Sequence, residues 1–348
     1  MKNYAIIPIF IPHNGCNNDC VFCNQKKITA REKSPSEQTV ICSIERNLAT
    51  INDAAVNNIE IGFFGGSFTG IPMEEQRYYL DIAKKYKDAG KIKGIRLSTR
   101  PDYIDHEILS NLKKYSVDMI ELGVQSFDED VLRLSERGHD TKQVHEAVES
   151  IKEYGFDLGI QLMIGLPGDT HEKSVESAKE LVAISPSVAR LYPTVVLKDT
   201  KLMSMYRSGE FIPFTDEQML ETVTDMYEII TGNDINVIRI GLKSTDLINA
   251  DSEDIAGDYH PAFSELVQGQ VFFRSMMALM DEHYNNTNQN QDKKITFNFY
   301  SNPTDISKMI GQNGRNRTRL SKKYPHLKFT FGGNNNIESG NVKLTIGR

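Results

Sequence analysis

Short apolar runs alternate with stretches of helical periodicity along residues 1–196. Val, Ile and Phe dominate the runs, which is typical of strands, whereas a stripe such as Val40, Ile44 and Leu48 is typical of an amphipathic helix. Six β-α repeats in this order predict a parallel sheet with helices packed outside it. The predicted strands are Tyr4–Ile11, Ile59–Phe64, Gly94–Ser98, Met119–Val124, Leu158–Ile164 and Val188–Val196.

Glycine and polar residues cluster where these predicted strands end. The clusters include Gly65-Gly66-Ser67, Ser98-Thr99-Arg100, Gly123-Val124-Gln125 and Gly165-Leu166-Pro167-Gly168. Carboxyl ends of parallel strands meet at one rim, and that rim carries the active site of a β/α barrel. The sequence therefore predicts an α/β fold, a partial or full (β/α) barrel, with its site on this rim.

The pattern changes after the predicted barrel. A long helix with an apolar face is predicted over Pro261–Met280, and residues 285–292 are polar and low in complexity. The following residues predict the order β-α-loop-α-β-β. We therefore expect a barrel domain over 1–245, a helical extension and linker over 246–292, and a small α+β domain over 293–348.

Charge is distributed unevenly along the 348 residues, whose net charge is −7. Residues 293–348 contain 11 Lys and Arg but two Asp and Glu, a net +9, so residues 1–292 carry −16. A basic tail on an acidic body indicates a polyanionic partner, and a solvated basic face is the alternative. No apolar run approaches the roughly 20 residues of a membrane helix, so we expect a cytoplasmic protein without a membrane partner.

Three of the four cysteines, Cys16, Cys20 and Cys23, form a C-x3-C-x2-C triad after the first predicted strand. Three thiolates from one short loop can hold three corners of a [4Fe-4S] cluster. The fourth iron then stays open to S-adenosylmethionine (SAM), whose one-electron cleavage yields a 5′-deoxyadenosyl radical. A zinc site with His13 as fourth ligand is the alternative. Cys42, on a predicted helix, is expected to be a small core residue.

The triad and the strand ends together resemble the radical SAM superfamily, and more narrowly the catalytic subunit of Elongator in a short bacterial form that lacks the acetyltransferase domain. The resemblance covers roughly residues 4–245. Besides the triad, it depends on the segments Phe64–Pro72, Ser98–Ile104, Ile120–Ser126, Glu136–His139, Gly165–Gly168 and Leu191–Val196. It implies a [4Fe-4S] cluster, SAM as cofactor and modification of tRNA.

The same resemblance implies seven residues that contact SAM. Backbone groups of the glycine pair and its serine would bind the SAM amino group, a serine would meet the ribose, and three further side chains match SAM contacts of coproporphyrinogen-oxidase-type enzymes. They are, in that order, Gly65, Gly66, Ser67, Ser98, Gln125, Arg137 and Gln161. The alternatives are a surface charge for Arg137 and a satisfied polar residue in the barrel mouth for Gln125.

Two further polar residues are predicted near this rim. Glu121 lies on a barrel strand, where a carboxylate needs a partner, and Arg96 or Arg190 would supply one. His139 belongs to the family-like segment, so it either lines the site or is part of the surrounding structure.

The basic tail contains a Gly-x-x-Gly loop, Gly311 to Gly314, between two predicted helices. In KH modules such a loop clamps the RNA backbone, because glycine lets phosphates approach closely. We expect RNA contacts from this loop and its basic neighbours, and a cap that closes the barrel is the alternative. The expected contacts are Gly311, Gly314, Lys308, Arg315, Arg317 and Arg319.

These observations lead to one favoured function and two alternatives. The favoured hypothesis is a radical SAM enzyme, a transferase that modifies RNA and especially tRNA, with ferredoxin or flavodoxin as electron donor. The alternatives are a radical SAM enzyme for a small, porphyrin-like molecule and a non-catalytic iron–sulfur protein that binds RNA.

Overall fold

The computed structural model describes residues 4–11, 20–24, 34–51, 56–242, 255–256, 260–286 and 295–347. The chain divides into two compact units, Met1–Thr215 with Ile229–Pro261, and Asp216–Glu228 with Ala262–Arg348. Residues 287–292 of the predicted linker lie outside the described residues.

The first unit contains a sheet of seven parallel strands that follow one another in chain order. Its strands are β1 (Tyr4–Ile11), β2 (Asn58–Gly65), β3 (Gly94–Thr99), β4 (Met119–Gln125), β5 (Asp157–Ile164), β6 (Val188–Pro193) and β7 (Asn236–Ile240). The predicted α/β class is confirmed, and the barrel is a partial one. The prediction of one strand over Val188–Val196 is wrong at its end, because Val196 and Leu197 pair antiparallel with residues 255–256 in a separate ladder.

Helices of the first unit follow the strands, and polar caps begin most of them. Side chains of Asp105, Asp128, Asp140 and Thr170 each accept a hydrogen bond from a first-turn amide, which satisfies a donor that has no partner within the helix. The helices are α1 (Glu37–Thr50), α2 (Met73–Asp88), α3 (His106–Lys114), α4 (Glu129–Leu134), α5 (Thr141–Glu153), α6 (His171–Ile184) and α7 (Lys201–Ser208).

The two faces of the parallel sheet differ in chemistry. One face is apolar and fully buried, with Ile61, Phe63 and Leu97 among its residues, and Phe63 packs 6.3 Å from the ring of Tyr79 on α2. Because side chains alternate along a strand, the intervening residues occupy the other face. That inner face carries charged and polar residues such as Glu60, so it is the face that positions the site.

The second unit is organised around a three-stranded sheet of β8 (Thr296–Ser301), β9 (Lys328–Gly333) and β10 (Val342–Gly347), in the order β9-β8-β10. Strand β8 pairs in parallel with β9 and antiparallel with β10. Aromatic residues of this sheet, including Phe297 and Phe299, pack with Met276, Met309 and Leu320 of the helices. The elements are α8 (Asp216–Thr231, which continues into the first unit), α9 (Phe263–Asn286), β8 (Thr296–Ser301), α10 (Ile306–Ile310), α11 (Arg315–Lys323), β9 (Lys328–Gly333) and β10 (Val342–Gly347).

The described helices contain no segment that is both long and apolar enough to cross a membrane.

Candidate iron–sulfur and SAM site

Two of the three predicted cluster ligands belong to the described residues. Cys20 is buried and Cys23 is half-buried, and the amide of Cys23 donates a 2.9 Å hydrogen bond to the carbonyl oxygen of Cys20. This bond closes a turn over the x2 spacing of the triad. Cys16, the third predicted ligand, and His13 lie outside the described residues.

The backbone of the cysteine loop is held from two sides. The amide of Val21 donates to the carbonyl of Ser135 at 3.2 Å, and the carbonyl of Val21 accepts from the amide of Leu202 on α7 at 2.7 Å. Val21 is buried in a small core with Leu202, Met203 and Phe211. The position of Cys20 therefore follows from main-chain bonds and packing as well as from any bound metal.

Two guanidinium groups point at the sulfur of Cys20. Arg137 donates from Nη1 to Cys20 Sγ at 3.2 Å, and Arg100 donates from Nη1 at 3.7 Å. Both arginines are buried. Hydrogen bonds from cations are stronger than those from neutral donors, and they favour an acceptor that carries negative charge. The site around Cys20 thus fits an anionic sulfur ligand such as a metal-bound thiolate.

A carboxylate and a histidine complete this buried cluster. Asp102 accepts two hydrogen bonds from Arg100, at 2.9 and 2.8 Å, so the guanidinium is fixed in a bidentate pair. Burial, together with the charges of Arg137 and Arg100, lowers the pKa of His139 to about 3. Neutral His139 hydrogen-bonds through Nε2 to the carbonyl of Val124 at 3.2 Å. His139 is therefore an uncharged, buried neighbour of the two arginines.

The glycine pair at the end of β2 lies directly beside the end of β1. Gly65 has φ +119°, and a Cβ atom there would be 2.2 Å from the carbonyl oxygen of Ile11. The amide of Gly66 donates to that same oxygen at 3.2 Å. Only glycine fits at position 65, because the space of a side chain is taken by the backbone of Ile11, and the ends of β1 and β2 therefore lie close together where SAM is predicted to bind. Ser67 follows and is buried.

The remaining predicted SAM contacts lie on β3, β4 and β5. Gln125 ends β4 with φ +74°, next to a register shift between Gly123 and Gln125, and it accepts a 3.2 Å hydrogen bond from Gln161 Nε2. A positive φ is uncommon outside glycine and often marks a functional position. Ser98, half-buried, is paired with Glu121 in the β3–β4 register. The structure brings Gln125 and Gln161 into contact.

Glu121 has both of the partners that were predicted as alternatives. Arg96 Nη1 donates to its Oε1 at 3.0 Å, and Arg190 Nη2 donates to the same oxygen at 3.1 Å. Arg96 also donates from Nε to Glu60 at 2.5 Å and from Nη2 to the hydroxyl of Tyr4. Burial lowers the pKa of Arg190, but nearby Glu121 raises it through its charge and its hydrogen bonds. The net pKa is raised, so Arg190 stays charged. The network joins β1, β2, β3, β4 and β6 across the inner face.

In the second unit, the Gly-x-x-Gly loop has a backbone that requires glycine. Gly311 has φ +79° and ψ 155°, and a Cβ there would lie 2.9 Å from Cγ of Asn316. Gly314 has φ +73° and is the N-cap of α11, and Asn313 between them has φ 52°. Asn316 donates from Nδ2 to the carbonyls of Gly269 at 2.7 Å and Met309 at 3.2 Å. The loop is therefore fixed against α9.

The predicted RNA-binding cations fall into two groups. Arg315 and Arg317 are exposed. Arg319 is half-buried, lies over the ring of Phe273 at 3.6 Å and donates to Gln270 at 2.6 Å. Lys308 forms a 2.9 Å ion pair with Asp305. Two further lysines of α11, Lys322 and Lys323, are also exposed.

Two sequence-based interpretations change with the structure. The sequence predicts no role for Arg100, which lies in the segment Ser98–Ile104, but the structure buries it against Cys20. Its signal was an arginine directly after a strand with an aspartate two residues later. The prediction for Cys42 is wrong, because Cys42 is exposed on α1, whose buried face is formed by Val40 and Ile44.

Comparison with known families gives two matches. Residues 10–181 match the radical SAM superfamily, and residues 186–271 match the radical SAM C-terminal domain. The first match includes Cys16, Cys20, Cys23 and both arginines of the Cys20 cluster.

Individual relatives match about half of the chain. The chain is 28% identical over 188 residues to a tRNA uridine(34) acetyltransferase of Methanocaldococcus infernus, a match that covers 48% of this chain and 35% of the relative. It is 30% identical over 196 residues to Elongator complex protein 3 of Homo sapiens, covering 51% of this chain and 36% of the relative. The chain thus spans about a third of the length of these relatives.

A solved structure has the same fold. The archaeal Elp3 of Methanocaldococcus infernus, with an N-terminal deletion, superposes with a TM-score of 0.60 at 21% identity, covering 82% of this chain and 64% of that one.

Proposed function

Because the chain belongs to the radical SAM superfamily, we propose that it binds a [4Fe-4S] cluster through Cys16, Cys20 and Cys23 and uses SAM to modify RNA, with tRNA as the favoured substrate. The observation that carries the RNA part is the glycine loop of the second unit with its exposed cations. The cluster part is supported by the buried, cation-flanked sulfur of Cys20.

A [4Fe-4S] cluster with an open iron supplies one electron for reductive cleavage of SAM. The chain's own residues prepare the place for both groups. Main-chain bonds to Val21 hold the cysteine loop, and burial of Cys20 excludes water from its sulfur. Gly65 lets the ends of β1 and β2 approach each other closely beside the position proposed for SAM. The amide side chains of Gln125 and Gln161, already paired, offer hydrogen-bonding groups nearby on the same rim.

The loop around Gly311 and Gly314 is suited to a phosphate chain. Residues 306–337 contain seven Lys and Arg and no Asp or Glu. Four of these cations, Arg315, Arg317, Lys322 and Lys323, are exposed on α11. Cations that neutralise phosphates release counterions, which gives RNA binding its affinity and its salt dependence. A rigid glycine loop at the start of a basic helix therefore supports RNA as the substrate class.

The relatives support tRNA within that class. One of them is named a tRNA uridine(34) acetyltransferase, and it is 28% identical to this chain over 188 residues. The match covers about a third of that relative.

SAM cleavage tests the enzymatic part. Anaerobically reconstituted protein with dithionite should convert SAM to 5′-deoxyadenosine, and Cys20→Ala should abolish the conversion. A fully assembled cluster that never cleaves SAM, with or without tRNA, would leave a non-catalytic iron–sulfur RNA-binding protein. One bound zinc in place of iron and sulfide would overturn the cluster.

RNA binding tests the substrate class. The full chain should bind tRNA with a steep salt dependence, and Arg315→Ala/Arg317→Ala should reduce the slope of log K against log salt by about 2. The matched control removes two exposed cations of the first unit, Lys85→Ala/Lys142→Ala, and should leave binding unchanged. SAM cleavage without any RNA affinity would indicate a small-molecule substrate. If the chain does bind tRNA, nucleoside analysis of tRNA from cells with and without the gene would identify the modified base.

A further inference from the structure

We propose that Arg137, supported by Arg100, raises the reduction potential of the cluster by donating hydrogen bonds to the sulfur of Cys20. The inference rests on the proposed function, because it requires Cys20 to be a cluster ligand. It gives Arg137 a role at the cluster, whereas the sequence resemblance implied a contact with SAM.

The geometry of Arg137 directs its guanidinium at the sulfur. Its Nη1 lies 3.2 Å from Cys20 Sγ, and its Nη2 donates to the carbonyl of Gly123 at 2.5 Å. The carbonyl fixes the plane of the group, so that the other nitrogen faces Cys20. A Cβ at Gly123 would lie 3.4 Å from Nη2, an ordinary contact, but 2.8 Å from the side-chain Nε2 of Gln125, so the small residue here makes room for Gln125 beside Arg137.

Arg100 holds this arrangement from the other side. Its bidentate pair with Asp102 fixes its orientation, and its Nη2 also donates to the main-chain carbonyl of Arg137. The same guanidinium reaches Cys20 Sγ at 3.7 Å through Nη1. Arg100 therefore both adds a second cation at the sulfur and positions the backbone from which Arg137 extends.

These contacts have a defined electrostatic consequence. Reduction adds one electron from a low-potential donor, such as dithionite or a reduced flavodoxin, to the cluster, and no bond forms or breaks in that step. The added negative charge is costly in a buried site, and hydrogen bonds from cations to a ligand sulfur offset part of that cost. Arg137 and Arg100 therefore favour the reduced cluster, which is the state that delivers the electron to SAM.

The test is a redox titration of the reconstituted, SAM-free protein. The electron paramagnetic resonance signal of the reduced cluster reports the fraction that is reduced at each potential. Arg137→Gln removes the charge and the strongest donor and should make reduction at least tenfold less favourable, a shift of about 59 mV to lower potential for one electron. Arg137→Lys keeps the charge and should shift the potential less. Arg133→Gln, an exposed arginine of α4, is the matched control and should leave the potential unchanged.

The outcomes separate this inference from the proposed function. If the unmodified protein assembles no cluster, the proposed function fails. If the cluster assembles and Arg137→Gln titrates at the potential of Arg133→Gln, the function stands and the tuning role of Arg137 is overturned.

A second measurement needs no variant and covers the case in which Arg137→Gln assembles no cluster. Protein labelled with ¹⁵N-arginine should show a hyperfine coupling between the reduced cluster and ¹⁵N, because the donor nitrogen contacts a ligand sulfur. Reduced cluster without any such coupling would contradict the contact.

Discussion

The side-chain amide of Asn316 donates a 2.7 Å hydrogen bond to the backbone carbonyl of Gly269, and so connects the glycine loop of the second unit to helix α9. The loop packs directly against this turn of α9, since a Cβ at Gly269 would be in van der Waals contact, 3.8 Å, with the Cα of Gly311. Asn316 is buried and also donates to Met309. The loop conformation proposed for RNA binding thus depends on a neutral side chain.

Replacing Asn316 should therefore weaken both folding and RNA binding. Asn316→Ala removes a buried donor from two carbonyls and should lower the free energy of unfolding by about 1–3 kcal/mol. Asn316→Asp places a carboxylate against the same carbonyls and should cost more. Urea unfolding followed by circular dichroism measures both. The exposed Thr318→Ala on the same helix is the control, with an expected change within about 0.5 kcal/mol.

The effect of Asn316→Ala on RNA should differ from that of the arginine variants. No charge is lost, so affinity should fall while the salt slope stays that of the unmodified protein. An unchanged affinity in a variant shown to be less stable would mean that the loop conformation does not matter for RNA.

Gly65 offers a test of the strand end on which the SAM site is proposed. Gly65→Ala would place a Cβ 2.2 Å from the carbonyl oxygen of Ile11, and backbone cannot rotate away from that contact. The overlap and the positive φ together should lower the free energy of unfolding by about 3 kcal/mol or more. Gly90→Ala is a matched control, because Gly90 has φ +71° with nothing within 4 Å, and should cost about 1 kcal/mol. Equal losses in the two variants would contradict the close approach of β1 and β2.

Some features of this fold follow from the sequence and others do not. The strands were predictable because their buried face repeats every second residue, as in Ile59, Ile61 and Phe63. Both partners of Glu121 were foreseen, since a carboxylate inside a sheet needs a cation. The role of Arg100 was not foreseen, because periodicity carries no information on which charged residue turns inward after a strand. The prediction of a buried Cys42 was wrong, because hydrophobicity alone cannot tell which side of a helix a cysteine occupies.

Glu121 should be important for the stability of the first unit. Glu121→Gln keeps its shape but leaves Arg96 and Arg190 without their shared charge, and removing one partner of a buried ionic network costs about 3–5 kcal/mol. Urea unfolding measures the loss. Glu146→Gln, which breaks an exposed pair with Lys142, should change stability by less than about 0.5 kcal/mol. If both glutamine variants unfold alike, the network on the inner face does not stabilise the fold.

His139 makes the stability of the protein depend on pH in a defined direction. Its pKa is lowered to about 3 in the folded protein by burial and by Arg137 and Arg100. An unfolded chain protonates its histidines near pH 6.5, so below about pH 6.5 protonation favours unfolding, and stability is lost as the pH falls.

The variant His139→Gln removes this proton uptake while it keeps a donor for the carbonyl of Val124. Relative to the unmodified protein, its free energy of unfolding should improve by about 1 kcal/mol between pH 6 and pH 5, since one proton is linked to unfolding in that range. Urea titrations at pH 7.5, 6 and 5 measure the difference. They use cluster-free protein, because acid would destroy a cluster. Above pH 7.5 the two stability curves should run parallel. Curves that stay parallel down to pH 5 would mean that His139 takes up its proton in the folded protein as readily as in the unfolded chain.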